Sequence, residues 1–322
     1  MLFTKEQLER FASPISQTEE QQCKNAINMV RNALKLVGYY DRDSDISPIY
    51  NGSYAYQIRM GKQEFEIRIF IQGSYANKTN IRAESDVDIA VVMENSFETL
   101  YRRGITDSVY NFHSVPSTFR QFKQEIMDAL IRCFGSDDVE RHNKSIHVQG
   151  NTYRKDADVV PCLRYRNYTQ DYRNDPENYI GGIVIKADDG TRIINYPEQH
   201  IKNGVIKNSN TSFRFKKMVR IVKNIRTIME DNRYPSASNI SSFLIESLLW
   251  NIPDAFYLKY SSLLDIFENI ISFLQINRQN ISSFYEINGI KKINDDNPNN
   301  SNICSAFVAD LYGFFECPLI NP

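Results

Sequence analysis

From residue 64 to 72 the chain reads Glu-Phe-Glu-Ile-Arg-Ile-Phe-Ile-Gln, with Phe65, Ile67, Ile69 and Ile71 alternating against Glu64, Glu66 and Arg68. A period of two belongs to a strand with one buried face. The run Val87-Asp88-Ile89-Ala90-Val91-Val92-Met93 predicts a second strand, and residues 145–165 predict a hairpin around Gly150-Asn151. Residues 18–37 carry apolar positions at helical spacing behind Thr18-Glu19-Glu20, the pattern of a long amphipathic helix. Another helix is expected over 116–134, with Pro116 near its start. Past about residue 200 strand signals vanish, and 212–231, 237–250, 256–275 and 302–316 read as helices. The pattern predicts an α+β chain, a mixed sheet-and-helix lobe followed by a helical lobe. Their boundary falls between 165 and 210, where Pro176, Gly181-Gly182 and the turn at 186–191 punctuate the chain. It is drawn at 170/171, giving lobes 1–170 and 171–322.

Composition narrows the class. Of 322 residues, 42% are hydrophobic, enough for a sizeable core. No apolar run approaches the roughly 20 residues of a membrane span, and the opening Met-Leu-Phe-Thr-Lys-Glu lacks the order of a secretion signal. Cys23, Cys133, Cys162, Cys304 and Cys317 are scattered, which reads as reduced thiols in a cytoplasm, and neither they nor the four histidines have metal-site spacing. A net charge of −1 argues against a general nucleic-acid binder. The Asn/Asp-rich stretch 294–302 reads as a solvated loop.

Chemistry concentrates in Phe70-Ile-Gln-Gly-Ser-Tyr-Ala-Asn-Lys-Thr-Asn-Ile-Arg-Ala-Glu-Ser-Asp-Val-Asp-Ile-Ala-Val-Val-Met93. Alternate strand residues share a face, so Asp86 and Asp88 project together while Val87, Ile89 and Val91 turn to the core. Paired carboxylates repel, and a divalent cation relieves them; Mg²⁺ favours one or two carboxylates plus phosphate oxygens. Gly73-Ser74, at the exit of the preceding strand, lets backbone and a hydroxyl approach phosphate. A third carboxylate comes from Asp156-Ala-Asp158; Asp158 heads an apolar run as Asp88 does, and Asp156 remains an alternative. A lone Gly-Ser is ordinarily a turn and a lone Asp-x-Asp a strand edge. Their succession, followed by a later strand aspartate, points to two-metal phosphoryl transfer.

These segments resemble the polymerase-β-like nucleotidyltransferases, and within them the bacterial cGAS/DncV-like nucleotidyltransferases (CD-NTases) of anti-phage signalling. The resemblance implies a catalytic lobe over 1–170, and a lid segment plus helical lobe over 171–322, with the active site in the cleft between. It implies a cytoplasmic enzyme joining nucleoside triphosphates into a cyclic di- or trinucleotide that a downstream effector recognises. Two Mg²⁺ ions, replaceable by Mn²⁺, would be held by the catalytic residues Asp86, Asp88 and Asp158, with the donor triphosphate at Gly73 and Ser74. In Arg214-Phe-Lys-Lys-Met-Val-Arg-Ile-Val-Lys223, Lys216, Arg220 and Lys223 fall on one helical face. The resemblance places Lys223 against the triphosphate, Ser242 on the phosphates and Phe243 on the donor base. Asn195, in Ile-Asn-Tyr-Pro, matches a base-reading position and leans toward a uridine-containing product, with ATP and UTP as substrates and GTP left open.

Direct activation by double-stranded DNA is not expected, because no His/Cys cluster matches the zinc insertion of animal relatives. The C-terminal Phe-Glu-Cys-Pro-Leu-Ile-Asn-Pro lacks a terminal glycine for covalent attachment. The alternatives are a nucleotidyltransferase acting on RNA ends, a protein or a small molecule, and a non-catalytic nucleotide sensor of the same fold.

Overall fold

The computed structural model describes residues 3–51, 53–63, 65–82, 86–113 and 118–316. Pro116 and the C-terminal stretch from Cys317 lie outside them. The chain separates into two compact units, one of Gln17–Ala76 and Asp86–Glu198, the other of Met1–Ser16, Asn77–Ser85 and Gln199–Pro322. The expected boundary at 170/171 therefore stands instead at 198/199, and two short early segments join the helical unit.

Helices are α1 Lys5–Ala12, α2 Gln17–Lys35, α3 Gly73–Asn77, α4 Phe119–Phe134, α5 Pro197–Asn210, α6 Phe215–Asp231, α7 Pro235–Asn239, α8 Ser242–Trp250, α9 Asp254–Leu258, α10 Leu263–Ile276 and α11 Asn300–Glu316. Strands are β1 Tyr40–Asp41, β2 Ser47–Pro48, β3 Tyr56–Lys62, β4 Phe65–Ile71, β5 Val87–Tyr101, β6 Val139–Arg141, β7 Ile146–Val148, β8 Ala157–Tyr168, β9 Ile180–Lys186 and β10 Arg192–Asn195. Among the described residues no helix is long and apolar enough to cross a membrane.

One unit is built on a ten-stranded sheet ordered β1-β3-β4-β5-β8-β7-β6, with β2 on β3 and β9 joining β8 to β10. β5 and β8 pair in parallel at its centre. Residues 87 and 89–93 of β5 are buried whichever way they point, as continuous apolar runs are in a sheet covered on both faces. On one face Phe70, Ala90, Val92, Val160, Cys162 and Ile183 pack together; α2 and α4 lie against the sheet's strands. The alternation in β4 therefore holds only in part. Ile67, Ile69 and Ile71 are buried as expected, but Phe65 is exposed and Phe70, on the opposite face, is buried too. Pro161 falls between the stretch of β8 paired with β7 and the stretch paired with β9. In an interior strand that gap is where a missing N–H costs least.

β9, β10 and α5 were not anticipated. Gly181-Gly182 reads as a break in sequence, yet both lie inside β9. A Cβ on Gly182 would stand 2.8 Å from the Asn195 carbonyl oxygen and 3.0 Å from the Tyr196 ring. Glycine is there to let β10 close on its neighbour.

In the helical unit the expected face of α6, formed by Phe215, Met218, Val222, Ile225 and Met229, lies in the core with Phe3, Leu8 and Ala12 from the α1 region. Val219 and Ile221 are buried as well, so the buried face of α6 is wider than expected. The helix expected over 237–250 splits at an extended Ile240, because the Ser241 side chain accepts from Leu244 N at 3.2 Å and starts a new helix. The 256–275 helix likewise divides into α9 and α10. Cys23, Cys133, Cys162 and Cys304 are free thiols.

Candidate active site

Gly73 opens α3 directly after β4, with φ at +69°, a conformation glycine adopts without strain. A Cβ at this position would stand 2.3 Å from Asp88 Oδ2 and 3.3 Å from its Cγ. The turn and the first strand carboxylate thus meet face to face, and Gln72 N donates to the Asp88 carbonyl at 2.9 Å. Only the missing side chain leaves room between them.

The other carboxylates are set by strand register. In the parallel β5–β8 pair, Asp88 is the direct partner of Asp158, and partners in register point to the same face. Asp86 stands two residues before Asp88, exposed at the head of β5, while Val87, Ile89 and Val91 are fully buried on the opposite face. Between the two later candidates the structure favours Asp158. Asp156 Oδ1 accepts from Gly150 N at 2.7 Å and closes the β7–β8 loop, whereas Asp158 faces the Asp88 side of the sheet.

Among the described residues no three His, Cys, Asp or Glu side chains are gathered as a ready-made metal site. Backbone register sets Asp88 beside Asp158, with Asp86 two residues before Asp88 at the head of β5. The donor set, all carboxylate oxygen beside a turn cleared of side chain, fits Mg²⁺ or Mn²⁺ and would not suit a soft metal.

His147, absent from the sequence expectations, sits on β7 as the antiparallel register partner of Asp158. Its Nδ1 lies 3.3 Å from Asp158 Oδ1. No spacing rule could have found it, because the contact depends on hairpin register across an eight-residue loop, 149–156.

The remaining expected residues divide between the units. Asn195 ends β10, half-buried opposite Ile183, and among the described residues its amide has no side-chain hydrogen bond. Lys223, Ser242 and Phe243 belong to the helical unit. The Lys223 ammonium, expected against a triphosphate, is fully buried, donates to the Thr79 carbonyl at 3.1 Å and stands 3.8 Å from Glu246. Glu246 also takes the Thr79 hydroxyl and His200 Nε2, the latter at 2.7 Å. Burial would raise the Glu246 carboxyl, but the His200 hydrogen bond and charge, with Lys223 and Thr79, outweigh it and hold it below the usual range. Ser242 Oγ receives Arg226 Nη1 at 3.0 Å. Phe243 packs half-buried on the helical core, its ring 5.4 Å from that of His200.

On α6, Arg220 Nε donates to the Ala12 carbonyl at 2.7 Å and its Nη1 to the Lys78 carbonyl. Lys216 differs. It is 4% exposed, and among the described residues its ammonium makes no hydrogen bond or ion pair. Burial pulls it down to about 8; Glu246 offsets part of the shift, and Lys78 and Arg220 add to it.

Residues 202–316 match the cGAS/DncV-like nucleotidyltransferase C-terminal helical domain, and residues 59–126 match the nucleotidyltransferase domain. The cyclic GMP-AMP synthase CdnE03 of Staphylococcus schleiferi is 46% identical over 318 residues, covering 98% of this chain and 98% of that one. The cyclic dipyrimidine nucleotide synthase CdnE of Legionella pneumophila is 36% identical over 284 residues, covering 88% and 87%. The solved structure of Rhodothermus marinus CdnE c-UMP-AMP synthase with Apcpp and Upnpp is similar at a TM-score of 0.75 and 26% identity, covering 99% of this chain and 100% of that one. With a relative this similar along its whole length, and both domains matched where the sheet and the helices stand, the chain belongs to the cGAS/DncV-like nucleotidyltransferases and is an enzyme that makes a cyclic oligonucleotide.

Proposed function

We propose that the protein joins two nucleoside triphosphates into a cyclic dinucleotide, with GMP and AMP as its halves. Asp86, Asp88 and Asp158 hold two Mg²⁺ ions. The observation that carries this reading is the Asp88–Asp158 register beneath a turn where no side chain fits at Gly73. Nucleotidyltransferases of this kind are metal-dependent; when bound, the metal lowers the pKa of the attacking hydroxyl and offsets charge on the phosphates.

The chain's own residues do the rest. Gly73 leaves the backbone open to the donor triphosphate, and Ser74 offers it a hydroxyl donor. The aspartates orient the reacting centre for in-line attack of a ribose hydroxyl on the α-phosphorus, with pyrophosphate leaving. In the helical unit Lys216 is the cation for the phosphate tail, because the Lys223 ammonium is held by Thr79 and Glu246. Burial, with smaller contributions from Lys78 and Arg220, perturbs Lys216, and a phosphate beside it would favour its charged form.

The GMP–AMP reading rests on the 46%-identical relative of that name. A uridine-containing product is a second reading, favoured by the open amide of Asn195, which has both donor and acceptor for a pyrimidine edge, and by the dipyrimidine synthase relative. The test is mass analysis of the product formed by purified protein from all four triphosphates with Mg²⁺. A phosphatase-resistant product of GMP and AMP is expected; a uridine-containing ring would establish the second reading. A linear product, or label transferred to added RNA, would overturn cyclisation. The product would act in the cytoplasm through an effector that recognises it, as part of anti-phage signalling.

A further inference from the structure

We propose that His147 is a positioning residue for Asp158, fixing one carboxylate oxygen so that the other is presented to the cation. The inference rests on the reading of Asp158 as a metal ligand.

Five observations carry it. His147 and Asp158 are direct cross-strand partners, so their backbones hold the pair together without help from either side chain. Nδ1 lies 3.3 Å from Asp158 Oδ1. An ionised carboxylate can only accept, so Nδ1 carries the hydrogen. The imidazole is kept from swinging away: it stacks on His142 with ring centroids 5.6 Å apart and planes 12° apart, and its side chain is 24% exposed. The strand bearing it is pinned by Ile146 and Val148, both buried. The competing carboxylate, Asp156, comes only within 4.0 Å of Nε2 and is engaged by Gly150 N. Among the described residues His147 thus has one close acidic partner, the aspartate that Asp88 also faces.

A carboxylate that must bind a cation gains from being held in one rotamer before the cation arrives. Hydrogen-bond partners of ligating side chains are typically worth about 10- to 100-fold in metal affinity or activity. His147 supplies that restraint to Asp158 without touching metal or substrate.

The test is Mn²⁺ binding to the substrate-free protein, read from the electron paramagnetic resonance signal of free Mn²⁺, alongside the Mg²⁺ concentration for half-maximal turnover. His147→Phe keeps a ring to stack on His142 and removes the donor; His147→Ala removes both. Each is expected to weaken Mn²⁺ binding by about 10- to 100-fold and to raise the Mg²⁺ requirement by a similar factor. Turnover at saturating Mg²⁺ should largely recover. His147→Asn, whose amide nitrogen stands as many bonds from the backbone as Nδ1, should restore most of the affinity. Asp158→Asn is the reference and should lose binding outright. If His147→Phe and His147→Ala bind Mn²⁺ within about twofold of the parent while Asp158→Asn does not, the positioning role is refuted and the site stands. Unchanged binding in Asp158→Asn overturns the site itself, and the role of His147 with it.

Discussion

Replacing Gly73 by alanine isolates the contact on which the site depends. Two costs arise. The backbone at φ +69° disfavours any side chain, by about 1–2 kcal/mol for a left-handed residue. The new methyl would also stand 2.3 Å from Asp88 Oδ2. Restoring ordinary van der Waals separation moves the carboxylate by about 1 Å, a displacement that can cost about 10²-fold in rate. Gly190 separates these costs. Its φ is +88°, but among the described residues a Cβ there would meet nothing within 4 Å. Gly190→Ala should therefore lose only the conformational share, about 1.5–3 °C in Tm, and Gly73→Ala at least as much. Only Gly73→Ala should lose cyclic product, by about 100-fold in initial rate with fold and nucleotide-independent properties retained. Thermal unfolding by circular dichroism and product quantification by mass spectrometry read the two effects. Gly73→Ala with near-parental turnover would mean that the Asp88 carboxylate does no work where it stands.

Two further outcomes concern the helical unit. Lys216 titrates at about 8, below the ordinary lysine value of 10.5. Between those pH values the unfolded chain holds a proton that the fold has released, so stability rises with pH across the window and the full penalty of the buried cation is felt below it. Lys216→Met should stabilise the protein at pH 7 by up to about 3 kcal/mol, with the gain fading toward pH 10.5, and should raise KM for triphosphate; a loss of stability at pH 7 in urea titration would refute this account. Glu246→Gln removes the counter-charge of the fully buried Lys223 and should destabilise the fold by about 3–5 kcal/mol. A measured loss under about 1 kcal/mol would mean Lys223 finds compensation elsewhere.

What sequence could and could not disclose follows the range of the interactions concerned. Asp86, Asp88 and Gly73 were legible because each depends on neighbours in the chain: a strand's period of two sends both carboxylates to one face, and Gly-Ser ends the strand before. The choice between Asp156 and Asp158 was not legible, since both share a face of one strand. Two long-range contacts bear on it: Gly150 N donates to Asp156, and a register across the parallel β5–β8 pairing sets Asp158 beside Asp88. Gly181-Gly182 misled for a related reason. A glycine pair signals a break by propensity, whereas here Gly182 answers to a carbonyl thirteen residues on. The cations of α6 show the limit most sharply. Helical spacing set Lys216, Arg220 and Lys223 on one face but could not say which is already neutralised. That depends on Glu246 from α8 and carbonyls from residues 12, 78 and 79. A lysine satisfied by such partners contributes to the fold, and a neighbour without them among the described residues, at 4% exposure, costs stability until an anion arrives. Charge compensation, rather than spacing, therefore selects Lys216 as the cation to test first against the triphosphate.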